Sequence, residues 1–399
     1  MDLATQHQLI ERILTHLDRR TTDAGGEERY VPVSDYLDPQ LYAAEVEAAH
    51  RSRPLIVGHA SQLAEPGDFR TDEVAGTPVL LVRDAAGQIR CHVNVCRHRG
   101  FKLVDQPAGS GLAEMICGYH AWTYEPSGEL RHIPDQKRCF PGVDRSARGL
   151  LPMSAWVDQG FIWVDPARTP SVFPGRRATA DELDPRLLAE LAGYGFAEDS
   201  YYGGKVIDGA FNWKLGVEAF LEVYHFQILH PAMKNYVFAP EVALIDHFGD
   251  DIRLVAPKKE ILKLRDVPRE QWRLRPRVTV VYYLFPATFL FVEKRHASVL
   301  QIRPTGVETS RAVTFHFART EGLRRLATLD RNIGGFLQAL DEDLAACESI
   351  QAGLRSGQEH LLFGRNENAL HAFRDMLSRR VAAAGGRTEV GVGTAAGGR

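Results

Sequence analysis

Two short pairs of cysteine and histidine constrain the fold of this chain more than any other feature of its sequence. One residue separates Cys96 from His98, two residues separate Cys117 from His120, and residues 99–116 lie between the pairs. Thiolates and imidazoles at such spacing bind a single metal centre when two tight loops bring the pairs together. The chain is therefore expected to form a small domain whose two loops meet at a metal.

Short β-type segments surround both pairs. Residues 78–82 and 89–95 are separated by the turn residues 84–87, which predicts a hairpin. Residues 160–164 predict a closing strand of the same region. The part of the chain from about residue 50 to 165 is therefore predicted to be a small all-β domain.

The four ligands fit two kinds of metal site. A zinc site also uses two thiolates and two imidazoles, but a zinc finger places a cysteine pair before a histidine pair. Here each loop supplies one thiolate and one imidazole, as in a 2Fe-2S cluster with two histidines on one iron. Neutral imidazoles make the reduction potential of such a cluster less negative than four thiolates do. We predict the cluster and keep zinc as the alternative.

A second group of acids and histidines lies on a predicted helix, residues 212–230. Glu218, Glu222 and His225 are four and three residues apart, so they share a helix face. His225 and His230 are five residues apart, which places them about 140° from a common face at ~3.6 residues per turn. They converge only if the helix distorts or ends between them, and the proline after His230 favours that.

Two imidazoles and one carboxylate with open coordination positions form the facial triad of non-haem Fe(II) oxygenases. The carboxylate must come from another segment. A predicted helix, residues 329–354, carries Asp341, Asp343 and Glu348. Solvent-exposed acids on a helix face are the alternative interpretation of these residues.

The second group resembles the catalytic-domain motif of Rieske non-haem iron oxygenase (aromatic ring-hydroxylating oxygenase) α subunits, which is acid-x3-acid-x2-His-x4-His. Gly100 and Trp122 also fit the pattern that flanks the cluster ligands in these oxygenases. The resemblance spans roughly residues 45–375, with both motifs in the order and separation of the family.

The resemblance implies roles for the acids. Asp343 matches the carboxylate ligand of the family by its distance before Glu348, and Asp341 is the second choice. Most members have aspartate at the second acid of the motif, where this chain has Glu222; branches that oxidise quaternary ammonium compounds also have glutamate there. Glu222 is expected to bind an iron-ligating histidine of its own chain and His120 of the partner subunit. Glu218 is a candidate for proton movement, with a structural role as the alternative.

The implied fold is α+β, with a small all-β Rieske 2Fe-2S domain and a helix-grip (START-like) catalytic domain that contains a twisted antiparallel sheet. The expected division is an N-terminal helical segment packing on the catalytic domain, 1–45; the Rieske domain, 46–165; the mononuclear iron domain, 166–381, entered through a proline-rich linker, 166–174; and a disordered tail, 382–399.

The resemblance also implies partners and a reaction. It implies a homotrimer, in which the cluster of one subunit faces the mononuclear iron of its neighbour. A separate NAD(P)H-dependent reductase, with or without a ferredoxin, is expected, since the chain contains no flavin or nicotinamide fingerprint. The implied reaction uses O2 to hydroxylate or oxidatively demethylate a small organic substrate, aromatic or amine. A Rieske electron-transfer or binding protein without oxygenase activity is the alternative function.

Composition excludes several other classes. The net charge of −3 over 399 residues argues against a nucleic-acid partner, and no apolar stretch approaches the ~20 residues that a membrane span needs. No secretory signal pattern opens the chain, so a cytoplasmic location is expected. A hydrolase is disfavoured because the sequence has no Gly-x-Ser-x-Gly elbow. The remaining cysteines match no ligand position and are predicted to be buried small residues: Cys91, Cys139 and Cys347.

Overall fold

The computed structural model describes residues 1–169, 183–231, 242–319 and 323–385. The chain divides into two compact units. Unit 1 comprises Met1–His50, Leu183–Gly195 and Tyr202–Arg399, and unit 2 comprises Arg51–Glu182 and Phe196–Tyr201. Most of the predicted linker, from residue 170 onwards, lies outside the described residues.

The elements of the described residues, numbered in chain order, are mixed helix and strand. The α-helices are α1 Leu3–Arg19, α2 Ser34–Leu37, α3 Pro39–Glu45, α4 Gln136–Cys139, α5 Pro185–Ala192, α6 Trp213–Ala219, α7 Phe226–Leu229, α8 Leu323–Gly353 and α9 Asn368–Ala383. The strands are β1 Arg29–Pro32, β2 Leu55–His59, β3 Phe69–Val74, β4 Thr77–Arg83, β5 Ile89–Val93, β6 Ala108–Gly109, β7 Met115–Ile116, β8 Thr123–Tyr124, β9 Leu130–His132, β10 Pro152–Asp158, β11 Phe161–Asp165, β12 Ser200–Gly209, β13 Leu244–Phe248, β14 Asp251–Pro257, β15 Val278–Leu284, β16 Thr288–Val292, β17 His296–Gly306, β18 Thr309–Ala318 and β19 His360–Phe363.

Unit 2 is built from two antiparallel sheets. The larger sheet has the strand order β2-β11-β10-β5-β4-β3-β6, and the smaller has the order β7-β8-β9. The predicted hairpin is β4–β5, and its turn is closed by Asp84, whose carboxylate accepts hydrogen bonds from the backbone N–H groups of Ala86 and Gln88. Gly87 completes this turn at φ +77°, a conformation that glycine adopts without strain.

Unit 1 contains a seven-stranded antiparallel sheet with the order β12-β18-β17-β16-β15-β14-β13. This sheet corresponds to the antiparallel sheet predicted for the catalytic domain, and its strands β15 to β18 lie between residues 278 and 318. Every residue of β14 and β15 is buried, so these two neighbouring strands are covered on both faces. Helix α8, which is 31 residues long, packs against α6. The curled sheet and its long helix confirm the predicted α+β fold with a helix-grip domain.

The N-terminal segment belongs to unit 1. Helix α1 begins after Asp2, whose carboxylate accepts a hydrogen bond from the N–H of Thr5 at 2.7 Å, and its apolar face is buried. Strand β1 pairs with β19, so the segment before residue 50 is hydrogen-bonded to the C-terminal part of the unit.

Three details differ from the sequence predictions. Helix α9 includes Ala382 and Ala383, which the prediction placed in a disordered tail; residues 386–399 lie outside the described residues. Cys139 is exposed, because it ends the short surface helix α4, whereas Cys91 and Cys347 are buried as predicted. The predicted helix over residues 212–230 is interrupted, as described below.

In the described parts of the chain, no helix has the length and apolar character that crossing a membrane requires.

Candidate metal centres

The first candidate centre lies in unit 2, where two loops share one hydrogen-bond pattern. The N–H of Cys96 donates to the carbonyl of Phe101, and the N–H of Gly100 donates back to the carbonyl of Cys96. In the second loop the N–H of Cys117 donates to the carbonyl of Trp122, and the N–H of Ala121 donates to that of Cys117. Each cysteine therefore begins a closed loop of the same size, which fixes the position of its thiol.

The histidines of the two loops come together. The Nδ1 atoms of His98 and His120 lie 3.1 Å apart, and the ring of His98 stacks on Trp122 at 5.0 Å with 8° between the planes. Both thiols are buried, with Cys96 and Cys117 each 2% exposed. Two imidazole nitrogens directed at the same point, with two buried thiols nearby, are the donor set of a 2Fe-2S cluster with mixed ligands. The residues therefore fit the cluster.

A buried tyrosine supports the first loop. The hydroxyl of Tyr124 accepts a hydrogen bond from the N–H of Arg97 at 2.9 Å and lies 3.3 Å from the Sγ atom of Cys96. Burial raises the pKa of Tyr124, so the phenol keeps its proton and can donate it to the sulfur. Asn94 contacts the other end of the loop, because its buried amide exchanges two hydrogen bonds with the backbone of Val104.

The second candidate centre lies in unit 1, where the predicted helix is broken and its two histidines flank the short helix α7. Helix α6 ends at Ala219, and α7 begins only at Phe226. The carboxylate of Glu222 accepts hydrogen bonds from the N–H groups of Tyr224 and His225, which fixes the intervening backbone. The prediction of one helix through residues 212–230 is therefore wrong, since the segment leaves the helical path before Glu222 rather than at His230.

Three side chains meet at this break. One ligand atom from each of His225, His230 and Asp343 lies within 4.8 Å of the others. The Oδ1 atom of Asp343 is 3.3 Å from Nε2 of His225 and 3.1 Å from Nε2 of His230. Nε2 of His225 and Oδ1 of Asp343 are buried and have no hydrogen-bond partner among the described residues. Two imidazoles and one carboxylate with such atoms directed at a common point fit a mononuclear iron.

Two glutamates contact the far side of the imidazoles. Oε1 of Glu222 is hydrogen-bonded to Nδ1 of His225, and Oε2 of Glu342 lies 2.7 Å from Nδ1 of His230. Burial lowers the pKa of His225, but the neighbouring carboxylates of Asp343 and Glu222 outweigh it and raise the pKa to about 9. Glu342 was not selected from the sequence, because it is one of several acids on a helix and only the fold directs it at a histidine.

Of the two aspartates considered as ligands, the structure brings Asp343 to the histidines. Asp343 is 4% exposed. Asp341 points elsewhere and forms an exposed ion pair with Lys205 at 2.9 Å.

Helix α8 is anchored close to this aspartate. Glu348 and Gln351 accept hydrogen bonds from the N–H groups of Ala210 and Asn212, immediately before α6. The Sγ atom of Cys347 donates to the carbonyl of Leu215 within α6. These contacts fix the position of α8 relative to α6, and Asp343 on α8 therefore reaches the two histidines.

Glu218 lies in a separate buried cluster. Its carboxylate accepts hydrogen bonds from Tyr36 at 2.8 Å and from Nε of Arg374 at 2.9 Å. Burial raises the pKa of Glu218, and the charge of Arg374 opposes that rise. A second buried pair, Lys214 with Glu45 at 2.5 Å, lies beside this cluster. Both oxygens of Glu218 are therefore engaged by groups other than the three candidate ligands.

The chain matches two known families. Residues 19–148 match the family described as Rieske [2Fe-2S] domain, and residues 196–383 match the family described as ring hydroxylating alpha subunit (catalytic domain). Among curated relatives, putrescine 2-hydroxylase from Ralstonia nicotianae is 32% identical over 82% of this chain and 87% of its own length. The glycine betaine monooxygenase oxygenase subunit of Chromohalobacter salexigens is 33% identical over 51% of this chain and 44% of its own length.

Several of the similar curated proteins are matched only in part. The segments shared with the glycine betaine enzyme and with biphenyl 2,3-dioxygenase subunit alpha of Rhodococcus jostii cover less than half of those proteins, 44% and 48%. Among solved structures, a quaternary ammonium Rieske monooxygenase in complex with L-carnitine has a TM-score of 0.73 at 20% identity, covering 89% of this chain and 96% of that one. A naphthalene 1,2-dioxygenase from Rhodococcus sp. has a TM-score of 0.70 at 18% identity, covering 94% and 98%. At these identities the solved structures establish the fold alone.

Proposed function

This chain belongs to the Rieske non-haem iron oxygenase α subunits, and from that premise we propose that it is the terminal oxygenase component of a system that hydroxylates or oxidatively demethylates a small amine. Electrons come from a separate NAD(P)H-dependent reductase. The observation that carries the proposal is the convergence of His225, His230 and Asp343, whose ligand atoms lie within 4.8 Å of one another. When bound, the cluster supplies single electrons and the iron supplies open positions for O2 chemistry.

The residues of the chain hold these groups and control protons around them. Cys96, His98, Cys117 and His120 would hold the cluster; His225, His230 and Asp343 would hold the iron. A carboxylate at Nδ1 keeps the proton of an imidazole on that atom, which leaves the lone pair of Nε2 available to a metal. Glu222 is in contact with Nδ1 of His225 in this way.

Charge around the second centre supports a cationic substrate. Asp343, Glu222 and Glu342 surround the two histidines. Glu367 is close enough that the charge of Glu222 adds to burial in raising the pKa of Glu367. The carboxylates of Asp343, Glu222 and Glu342 together carry more charge than one divalent iron would neutralise, which favours the binding of ammonium groups. Three similar proteins are named for an amine or a quaternary ammonium compound: putrescine, glycine betaine and carnitine.

Substrate-dependent O2 consumption tests this proposal directly. The protein, with both iron centres loaded, is reduced through a surrogate reductase in the presence of diamines, methylated amines or aromatic acids. We expect O2 uptake with an amine, together with a product that has gained one oxygen atom or lost a methyl group as formaldehyde. Uptake with aromatic acids only would overturn the amine assignment. A cluster that is reduced normally while no substrate in either class stimulates uptake would favour the electron-transfer alternative.

We further propose that electrons pass between copies of the chain in a homotrimer. Apolar side chains beside the cluster ligands are exposed: Phe101 by 43%, Ile116 by 53% and Tyr119 by 51%. Beside the second centre, Tyr224 and Ile228 are exposed by 63% and 81%. Such apolar surface is typical of protein contacts. These surfaces support an interface in which the cluster of one copy meets the second centre of another.

Mixed assemblies test transfer between copies. Subunits carrying Cys96→Ala lack the cluster, and subunits carrying His225→Ala lack the mononuclear iron; each variant alone is expected to be inactive. Co-expressed with different tags and purified through both tags, they are expected to recover turnover, since one interface then contains both intact centres. A mixed assembly as inactive as either variant would overturn transfer between copies. Light scattering gives the number of subunits.

A further inference from the structure

The ring of His230 is contacted at both nitrogens by two consecutive residues of α8. Oε2 of Glu342 lies 2.7 Å from Nδ1, and Oδ1 of Asp343 lies 3.1 Å from Nε2. Successive helix residues point about 100° apart, so a single helix can place two carboxylates on opposite edges of one imidazole. His230 is buried, with its side chain 3% exposed.

We propose that Glu342 is a positioning residue that fixes the tautomer and orientation of His230 for the metal. An ionised carboxylate only accepts hydrogen bonds, so Glu342 requires the proton of the imidazole at Nδ1. The lone pair of Nε2 then faces the position shared with His225 and Asp343. A hydrogen bond of this type raises the basicity of a histidine ligand, and its loss typically weakens metal binding by about 10–100-fold.

The neighbourhood of Glu342 fixes its own side chain. Gln338, one turn earlier on α8, donates from Nε2 to Oε1 of Glu342 at 3.0 Å. Each oxygen of Glu342 therefore has a defined partner, one on its own helix and one on His230. The contact of Glu222 with Nδ1 of His225 is equivalent, so both candidate histidine ligands have the proton fixed on the nitrogen remote from the metal position.

Asp330 offers a comparison with Glu342 on the same helix, α8. Asp330, three turns earlier, is exposed and accepts a hydrogen bond from Tyr202. Among the described residues, Asp330 has this one side-chain partner and no hydrogen bond to a histidine. Asp330→Ala is the matched control, since it removes an acid and one hydrogen bond from the same helix.

Iron affinity, measured without turnover, tests the inference. The mononuclear iron is removed from the intact protein with a chelator, and Fe(II) binding is measured anaerobically by competition for wild type, Glu342→Ala, Glu342→Gln and Asp330→Ala. We expect Glu342→Ala to raise the Kd for Fe(II) by about 10–100-fold, Glu342→Gln to give an intermediate Kd because its amide oxygen still accepts a hydrogen bond, and Asp330→Ala to match wild type.

The visible spectrum of the cluster and thermal unfolding identify any variant that does not fold. Glu342 has 26% of its side chain exposed, so the isosteric Glu342→Gln serves as the test if the alanine variant is unstable. A Kd within twofold of wild type in the folded Glu342 variants would overturn the inference, as would an equal loss in Asp330→Ala. The inference rests on the proposed iron site and does not depend on turnover. An inactive wild-type protein that still binds Fe(II) would contradict the oxygenase proposal but not the role of Glu342.

Discussion

The Nε2 atom of His225 lies 3.3 Å from the Oδ1 atom of Asp343, although one residue precedes a short helix near the middle of the chain and the other lies late in α8. Both atoms are buried without a hydrogen-bond partner in the described structure. Burying unpartnered polar atoms costs about 1–3 kcal/mol each. A bound metal ion would remove that cost.

Removal of His225 is expected to empty one centre and leave the other intact. His225→Ala takes away one of two imidazole ligands, so iron content should fall from about three atoms per chain to about two, as the ligand sets require. Iron analysis measures the loss, and the visible spectrum of the cluster is the internal control because its ligands lie in unit 2. Loss of that spectrum as well would show that the two ligand sets are wrongly assigned.

Glu222→Ala is expected to retain both centres when iron is supplied in excess, but to lower turnover by about 100-fold. The carboxylate contacts Nδ1 of His225, and the proposed interface places it against His120 of the partner subunit. Single-turnover reoxidation of the reduced cluster measures transfer between the centres, and Glu222→Gln is the isosteric comparison. Normal activity in Glu222→Ala would refute the bridging role.

Arg374→Ala is expected to lower the free energy of unfolding by about 3–5 kcal/mol. Arg374 is 5% exposed and forms ion pairs with Glu218 at 2.9 Å and Asp35 at 3.4 Å. Its removal takes the ion-pair partner away from the buried Glu218. Thermal unfolding followed by circular dichroism measures the change.

The matched control for Arg374→Ala is Lys205→Ala, which breaks an exposed ion pair with Asp341. Such a pair contributes only about 0–1 kcal/mol. Equal destabilisation by the two substitutions would contradict a special contribution of the buried cluster. Glu218→Gln separates the two interpretations of Glu218: a changed pH profile of turnover supports proton movement, whereas a loss confined to stability supports the structural role.

Tyr124→Phe is expected to make the reduction potential of the cluster more negative. The Tyr124 hydroxyl lies 3.3 Å from Sγ of Cys96, and hydrogen bonds to cluster sulfurs favour the reduced state. A hydrogen bond of about 1 kcal/mol corresponds to roughly 40 mV for a one-electron couple. Redox titration followed by electron paramagnetic resonance measures the shift.

Tyr119→Phe is the control for that titration. The ring of Tyr119 lies 3.8 Å from the ring of His120, but its hydroxyl accepts a hydrogen bond from Arg99 at 3.2 Å on the surface. Its removal should leave the potential within a few millivolts of wild type, since no cluster ligand loses a partner. An unchanged potential in Tyr124→Phe would mean that the phenol proton is not directed at the sulfur.

Local sequence determined the family, the ligand types and several of the strands. The Cys96–His98 and Cys117–His120 pairs specify mixed ligation through spacing alone, because a loop of a few residues fixes which side chains can reach one metal. The strands β15 to β18 were predictable since uninterrupted β-branched and aromatic segments between turns favour strands. These features depend on contacts between near neighbours.

Only the tertiary structure decided how the second centre is assembled. The break after α6 depends on packing and on hydrogen bonds of Glu222 that local helix preference does not contain. The family resemblance had already favoured Asp343 over Asp341, but the anchoring of α8 on α6 is what directs Asp343 at both histidines and Glu342 at His230. Acids on one helix look alike in sequence, and the direction each faces is set by long-range packing. That packing gives these three carboxylates different environments.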